Sequence, residues 1–361
     1  MFFGGYISVP LLNIYPNNMK KSHLYSLFAF IALAFQACLP EIPKNSGEYW
    51  NNIADIGGPA INVDFPTENV GYVSCRSGSF MFKTIDGGET WTVLATPSTD
   101  QYSGTRGMYF FDENTGFISP SFASANIYKT TDGGQTWTES CPLNIATSII
   151  NDIEFSTPQN GVAAAWYGSC VYTADGGASW SPVTYDKNYG SSVEYNGISF
   201  SDPLTGYMVG TQATILKTTD GGASWVTLNT RAFGIVDTAG SIGASIMKDV
   251  YTLNGSDVIV TSTTGIYRST NSGSSWTLVE PKSAGHIAFD SPTHGYATAD
   301  QVNPNLAADN LLETSNGGAS WTKITIPGLI VPIKDICLIK PGLGYGVTDL
   351  SNKNIYRYQQ D

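Results

Sequence analysis

Charge is scarce in this chain: Asp, Glu, Lys and Arg make up 13% of its 361 residues, about half the usual quarter. Only three histidines and five arginines occur, and beyond the N-terminal segment the histidines are His286 and His294 alone. With no HExxH and no paired CxxC, a conventional zinc site lacks its ligands, so zinc hydrolase chemistry, a metal and a cofactor are not expected. Basic residues are outnumbered, 18 Lys plus Arg against 30 Asp plus Glu for a net charge of −12. A sequence-independent phosphate-binding surface does not fit that balance, and nucleic acid is excluded as the partner. GxSxG, P-loop and Rossmann fingerprints are absent as well. The longest apolar run, Leu24 to Phe35, is too short to span a bilayer comfortably.

What is abundant is glycine and aromatic surface: 38 Gly, 20 Tyr, 16 Phe and 8 Trp, within 42% hydrophobic residues. Tight turns joined by aromatic strands make an all-β fold with a sizeable core.

The amino terminus reads as an address. Lys20 and Lys21 precede the apolar run, which ends at Gln36-Ala37-Cys38 before the sequence turns polar, as in a secretory signal. A cysteine after a small residue at that point resembles the lipobox of bacterial lipoproteins, with Phe35 and Gln36 departing from the usual residues. The expected organisation is a signal peptide over 1–37, with Met19 as an alternative start, a linker over 38–46 lipidated at Cys38, and the folded domain over 47–361. Ordinary cleavage near Ala37 is the other reading. Either way the mature chain is exported, to the bacterial cell envelope on a lipid anchor or as a periplasmic or secreted protein. Cys75, Cys141, Cys170 and Cys337 then meet an oxidising compartment, which permits two disulfides without requiring them. No adjacent histidine or redox spacing marks any of them, so small buried strand residues are expected.

One octapeptide recurs six times: TIDGGETW from Thr84, TTDGGQTW from Thr130, TADGGASW from Thr173, TTDGGASW from Thr218, STNSGSSW from Ser269 and TSNGGASW from Thr314. A second signal is phased with it, a Phe, a polar turn and a Gly-aromatic step, beginning at Phe65, Phe111, Phe200 and Phe289, with weaker versions at Phe155, Leu253 and Ile339. Seven units result, each of four short strands A to D, with a polar turn between A and B and the octapeptide between C and D. This is a seven-bladed β-propeller of four-stranded blades. The last unit stops after a strand C at Asn354 to Tyr358, and Glu48 to Ile53 resembles the missing strand D without its octapeptide. An N-terminal strand is therefore expected to complete the last blade and pair the open edge.

The octapeptide matches the Asp box, or BNR repeat, S/T-x-D-x-G-x-x-W, and the resemblance covers residues 47–361. Related repeats occur in sialidases, xyloglucanases and sortilin-type receptors. The KTTDGGxSW form with an upstream Gly-Tyr step is most like the photosystem II assembly-factor family. That resemblance implies a chaperone-like role on partner proteins and a basic, Arg-rich patch. Five arginines in an acidic chain depart from the second implication, which makes generic partner binding a better fit than a photosystem role.

Six acidic or amide residues in glycine-rich loops invite a catalytic reading, but the physics is structural. An Asp in a tight turn accepts backbone N–H bonds, the glycines supply positive φ, Ser or Thr ties the turn, and Trp buries its ring between blades. Asp86 with Trp91, Asp132 with Trp137, Asp175 with Trp180 and Asp220 with Trp225 are assigned that role. So are Asn271 with Trp276 and Asn316 with Trp321, where an amide performs the same capping.

Strand alternation places the A–B turns and Asp boxes on one face, and the B–C and D–A connections on the other. Lengths vary on the second, at 95–106, 184–195, 229–247 and 299–310, so binding belongs there. Aligned starts of the A strands put Asn62, Gly107, Asp152, Gly197, Asp249, His286 and Asp335 at one position, with Arg106, Asn151, Asn196, Lys248 and Lys334 just before. From these, Arg106, Asp152, Lys248, Asp249, His286, Lys334 and Asp335 are the candidate ligand-binding residues at the channel mouth; a hydrated structural ring is the competing reading. Trp166, Tyr167, Tyr189 and Tyr195 are expected near the same face, while Arg268 and Arg357 share the strand C position of Lys83, Lys129 and Lys217 and look structural.

The sequence leans away from an enzyme. A non-catalytic binding or assembly propeller, monomeric and acting on an envelope or extracellular protein or a glycan, needs only the features above. A sialidase-like hydrolase requires three arginines on a sugar carboxylate, for which Arg76, Arg106 and Arg231 are the candidates, but no FRIP-like motif accompanies them. A xyloglucanase-like pair such as Asp152 and Asp335 belongs to a family that builds its cleft from two propellers, and one is present.

Overall fold

The computed structural model describes residues 49–78, 80–97, 104–120, 126–141, 149–185, 193–228, 245–299, 310–349 and 354–360. The export segment, the 38–46 linker, Cys38, Tyr189, Arg231 and most of the variable connections lie outside the described residues.

Seven antiparallel sheets follow one another along the chain. Their innermost strands are Ala60–Asp64, Thr105–Phe110, Ile150–Phe155, Tyr195–Phe200, Met247–Thr252, Ala284–Phe289 and Asp335–Lys340. Six blades take their four strands in order from one stretch of chain, whereas the seventh is completed by Trp50–Ala54, which pairs antiparallel with Ile355–Gln359. The ring is thus closed by the N-terminal strand, as the sequence predicts. Blade 4 differs in a detail: Thr184–Tyr185, on the way in from blade 3, adds a short parallel pairing to its outer strand Ser224–Thr227.

Two repeated sequence signals have visible physical causes. In each Asp box the strand C hydroxyl and the box carboxylate lock a turn. Thr130 Oγ1 donates to Asp132 Oδ1 (2.9 Å) and accepts from Gly134 N (2.8 Å), while Thr136 N and Thr136 Oγ1 donate to the two Asp132 oxygens. Gly133 and Gly134 sit at φ 73° and 87°, where a side chain is disfavoured. Asn271 and Asn316 accept the same backbone bond, from Ser275 N (2.8 Å) and Ser320 N (3.0 Å). The second signal, Phe followed by Gly-aromatic, is a packing requirement. The ring that ends strand A lies flat over the glycine that opens strand B, so a Cβ on Gly71, Gly116, Gly161, Gly206 or Gly295 would fall 2.3 to 2.6 Å from a phenylalanine carbon. Blades 2 and 7 correct the expected alignment: Phe110, not Phe111, covers Gly116, and Leu338, not Ile339, covers Gly344, while Ile339 packs in the seam with blade 1.

Each box tryptophan packs against the preceding blade. Trp137 joins Tyr72 and Met81 of blade 1, Trp225 joins Val162 and Ala164 of blade 3, and Trp321 joins Ile259 and Ile266 of blade 5. Trp50 makes the equivalent contact on Tyr296 and Leu311 of blade 6, so it occupies a box tryptophan's place. A signal for this was present and unread: Asn45-Ser46-Gly47 before Trp50 repeats Asn271-Ser272-Gly273 before Trp276. Strand C cations complete the seams. Lys129 Nζ donates to Gly176 O of the next box (2.8 Å), Lys83 Nζ to Gly133 O (3.2 Å), and Arg357 pairs with Glu89 of blade 1 (2.6 Å). Arg268 instead pairs within its blade, to Asp257 at 3.3 Å. Cys75, Cys141, Cys170 and Cys337 form no disulfide with one another; the first three are buried, and burial pushes the Cys75 thiol up to about 12.

Candidate functional site at the channel mouth

The seven A strands surround a channel with a cavity of about 220 Å³. Each Asp box docks on the A–B turn of its own blade, as in Gly133 N to Asn114 O and Gly176 N to Gln159 O, which fixes the box face at one end of the channel. The mouth is at the other end, where the A strands begin.

Six A strands carry a register irregularity at the same place, between Ala60 and Asn62, Thr105 and Gly107, Ile150 and Asp152, Tyr195 and Gly197, Met247 and Asp249, and Ala284 and Ile287. A bulge re-aims a side chain, and both Asn151 and its neighbour Asp152 line the cavity. Two successive rings of polar residues therefore face the channel where regular alternation would give one.

The deeper ring stitches blades together. Asp152 Oδ2 accepts Ile198 N of blade 4 (2.8 Å), Asp249 Oδ2 accepts Ile287 N of blade 6 (3.0 Å), and Asp335 Oδ2 accepts Val63 N of blade 1 (2.8 Å). Asp249 and Asp335 each also accept the N–H of their own following residue through Oδ1, at 2.8 Å. Gly197 is small for a reason: a Cβ there would meet Asp249 Oδ1 at 2.7 Å. His286 lies between two of these carboxylates, its Nδ1 3.5 Å from both Asp249 Oδ2 and Asp335 Oδ1. Its ring is 44% exposed, but only to the narrow channel, so protein surrounds it on every side. That burial disfavours the imidazolium, yet Asp335 and Asp249 outweigh it and hold the pKa up near 9. Burial likewise raises the Asp335 carboxyl, with His286 pulling the other way.

The outer ring is cationic on one side and amide on the other. Asn151 Nδ2 donates to Tyr195 O and Asn196 Nδ2 to Met247 O, each at 2.8 Å. Arg106 lies over the Trp166 ring at 5.7 Å, and its Nη1 is 3.4 Å from Asn151 Oδ1. Lys334 Nζ stands 3.7 Å from Asp349, which also pairs with Arg76 at 2.8 Å. Burial, and then Lys334, lower the Lys248 ammonium to about 8. Arg76 thus joins the predicted Arg106, Lys248 and Lys334 in a basic collar on an acidic protein. Of the aromatics, Trp166 and Tyr167 are at the mouth, but Tyr195 is buried at 2% exposure in the blade 3–4 core, because the strand register turns it inward. Among the described residues no group of three His, Cys, Asp or Glu side chains is arranged to hold a metal ion.

A cluster that sequence reasoning missed lies away from the mouth. His294 Nδ1 is 2.8 Å from Asp290 Oδ1, and its Nε2 is 3.2 Å from Glu313 Oε1, which also accepts from Tyr296 Oη (2.8 Å). Glu313 stands where five of the other blades have Lys or Arg on strand C and blade 3 has Tyr172, and an acid there was the available signal.

Residues 138–288 match the family described as the photosynthesis system II assembly factor YCF48. No curated protein matches the chain. Among solved structures, YCF48 bound to D1 peptide is similar with a TM-score of 0.66 and 16% identity, over 90% of this chain and 98% of that one. YCF48 from Cyanidioschyzon merolae gives 0.62 and 13%, over 86% and 98%. An ancestral GH74 enzyme gives 0.65 and 17%, over 86% of this chain but only 46% of that one. At these identities the likenesses establish the shared fold. The chain is an Asp-box seven-bladed propeller, with residues 138–288 carrying the pattern of the photosystem II assembly-factor family.

Proposed function

We propose that this chain is an exported, non-catalytic propeller that holds a partner protein on the mouth face of its channel. One contrast carries the reading. The carboxylates Asp152, Asp249 and Asp335 accept backbone N–H groups of neighbouring blades, whereas Arg76, Arg106, Lys248 and Lys334 gather at the rim of a protein of net charge −12. Such a rim suits an acidic stretch of a partner. The YCF48 structure with a D1 peptide supports a peptide-binding role for a propeller of this kind. Lipidation at Cys38 and residence in the cell envelope complete the proposal, with an envelope or extracellular protein as the partner.

The hydrolase alternative, sialidase-like or xyloglucanase-like, needs carboxylates disposed toward a sugar. Asp152 and Asp335 serve blade-to-blade bonds instead, which favours binding over catalysis. The deciding experiment is capture from the native envelope with the wild-type propeller and a variant carrying Arg106→Glu, Lys248→Glu and Lys334→Glu. A protein held by the wild type and lost by a folded variant supports the proposal. Equal capture, or none, sinks it, and turnover on a fluorogenic glycoside panel favours the alternative.

A further inference from the structure

The B–C turn of blade 3 spends backbone strain on displaying an aromatic ring. Ser169 N donates to Trp166 O (3.1 Å), closing a two-residue turn in which Tyr167 has φ 57° and Gly168 φ 63°. Such turns favour Asn or Gly at the first of these positions, because a Cβ there is crowded. Blade 4 also places non-glycine residues in its corresponding turn, Gln212 at 58° and Ala213 at 54°. Ala213 is buried in the blade 4–5 core, so packing offsets its strain. Gln212, the counterpart of Tyr167 in that turn, is half-buried, whereas the Tyr167 side chain is 53% exposed and no comparable burial offsets its strain. Its ring stands edge-on to Trp166, centroids 6.3 Å apart, and Arg106 lies on the other ring of that pair. Ile246 and Ile330 are exposed at the starts of blades 5 and 7 on the same face.

We infer that Tyr167 is the anchoring residue of the mouth face, and that the partner segment it receives is a peptide presenting an aromatic or leucine side chain beside Asp or Glu. The inference rests on the partner-binding reading above and names its chemistry. Tyr and Trp give large contact area at low entropic cost, and anchors of this type dominate binding energy. The adjacent guanidinium of Arg106 and the ammonium groups of Lys248 and Lys334 supply the charge that acidic neighbours complement.

The test is Tyr167→Gly, a substitution the left-handed backbone accepts, read by fluorescence anisotropy on labelled dodecapeptides. The panel carries Phe or Leu flanked by Asp and Glu, with controls in which the apolar residue is Ala or the acids are Lys. The expected result is binding of the acidic apolar peptides to wild type, about tenfold or greater weakening in Tyr167→Gly at an equal or higher Tm, and no binding of the controls. Equal binding by the variant overturns the inference, as does a silent panel or a fall in Tm showing that the ring holds its turn. Repeating the envelope capture separates the two readings: a partner retained by Tyr167→Gly removes the anchor alone, while a wild type that captures nothing removes partner binding with it.

Discussion

Trp50 and Tyr358 stack with ring centroids 5.4 Å apart and planes 28° from parallel. One comes from the first described strand and the other from the last, so this contact, with the edge-on pair of Tyr49 and Tyr358, joins those two strands and closes the ring. Trp50 is 2% exposed, and its Nε1 is buried with no hydrogen-bond partner among the described residues. Trp50→Ala is expected to cost about 3–5 kcal/mol, and Trp50→Phe distinctly less, because most of the buried aromatic contact is kept. Urea unfolding curves check both. Deleting residues 1–56 removes the strand itself and leaves Ile355–Gln359 as an open edge, so lower stability and concentration-dependent association are expected. A truncated protein as stable and monomeric as the intact one contradicts this closure.

In the Asp boxes, hydrogen bonds from Thr90 to Asp86, from Thr136 to Asp132 and from Ser179 to Asp175 hold these carboxyls down near 2. A depressed folded pKa contributes stability that is present above the unfolded value of about 4 and is lost as pH falls toward 2. Asp132→Ala is expected to lower Tm at neutral pH and to reduce that acid-side slope. Asp132→Asn is expected to keep most of the neutral-pH stability, since Asn271 and Asn316 already serve. Partner capture should survive both; loss of binding at an unchanged Tm contradicts a structural box.

The His294 cluster predicts the opposite pH dependence. Burial opposes the imidazolium, but the bonds to Asp290 and Glu313 more than offset it and raise the pKa to about 9. A raised folded pKa gives stability fully present below the unfolded value of about 6.5 and lost as pH rises through 9. The Tm difference between wild type and His294→Gln is therefore expected to shrink between pH 6.5 and 9.5, measured by thermal scans. A difference that stays constant over that range contradicts a charged His294.

Gly206→Ala places a methyl 2.5 Å from Phe200, and overpacking of this kind costs about 1–3 kcal/mol. Phe200→Leu in the same chain is expected to relieve part of that cost, so the double mutant should be more stable than the sum of the single effects. Strict additivity means that the ring does not set the glycine.

Cys38→Ser is expected to move the protein from the membrane fraction to the soluble one, with an unchanged propeller Tm. A protein equally membrane-bound after the substitution removes the lipid anchor from the proposal.

The fold was legible because its constraints are local and repeat. A box needs Thr, Asp, two positive-φ residues and Trp within eight positions, and the same turn recurs six times in the sequence. Closure was legible in the last unit, which stops after strand C, and in the strand-like segment from Glu48 to Ile53. The channel stitching was not, because Asp152 meets the N–H of Ile198 on another blade, and no local pattern marks a backbone acceptor. The bulges that put Asn151 and Asp152 on one surface break the alternation from which side-chain direction is read. Tyr195 was misplaced for that reason. Glu313 was readable only as an exception, since an acid among lysines and arginines makes sense once His294 stands beside it.

Strand direction gives the ring a polarity with practical consequences. The closing strand pairs Trp50 with Tyr358 at the box end, and Gln360 N bonds Gly342 O of the blade 7 A–B turn. Both ends of the described chain therefore leave by the side opposite the basic collar, which is assembled from the starts of internal strands and from connections. A surface linker or purification handle joined at either described end starts on the side opposite the mouth and leaves that face free at the point of attachment.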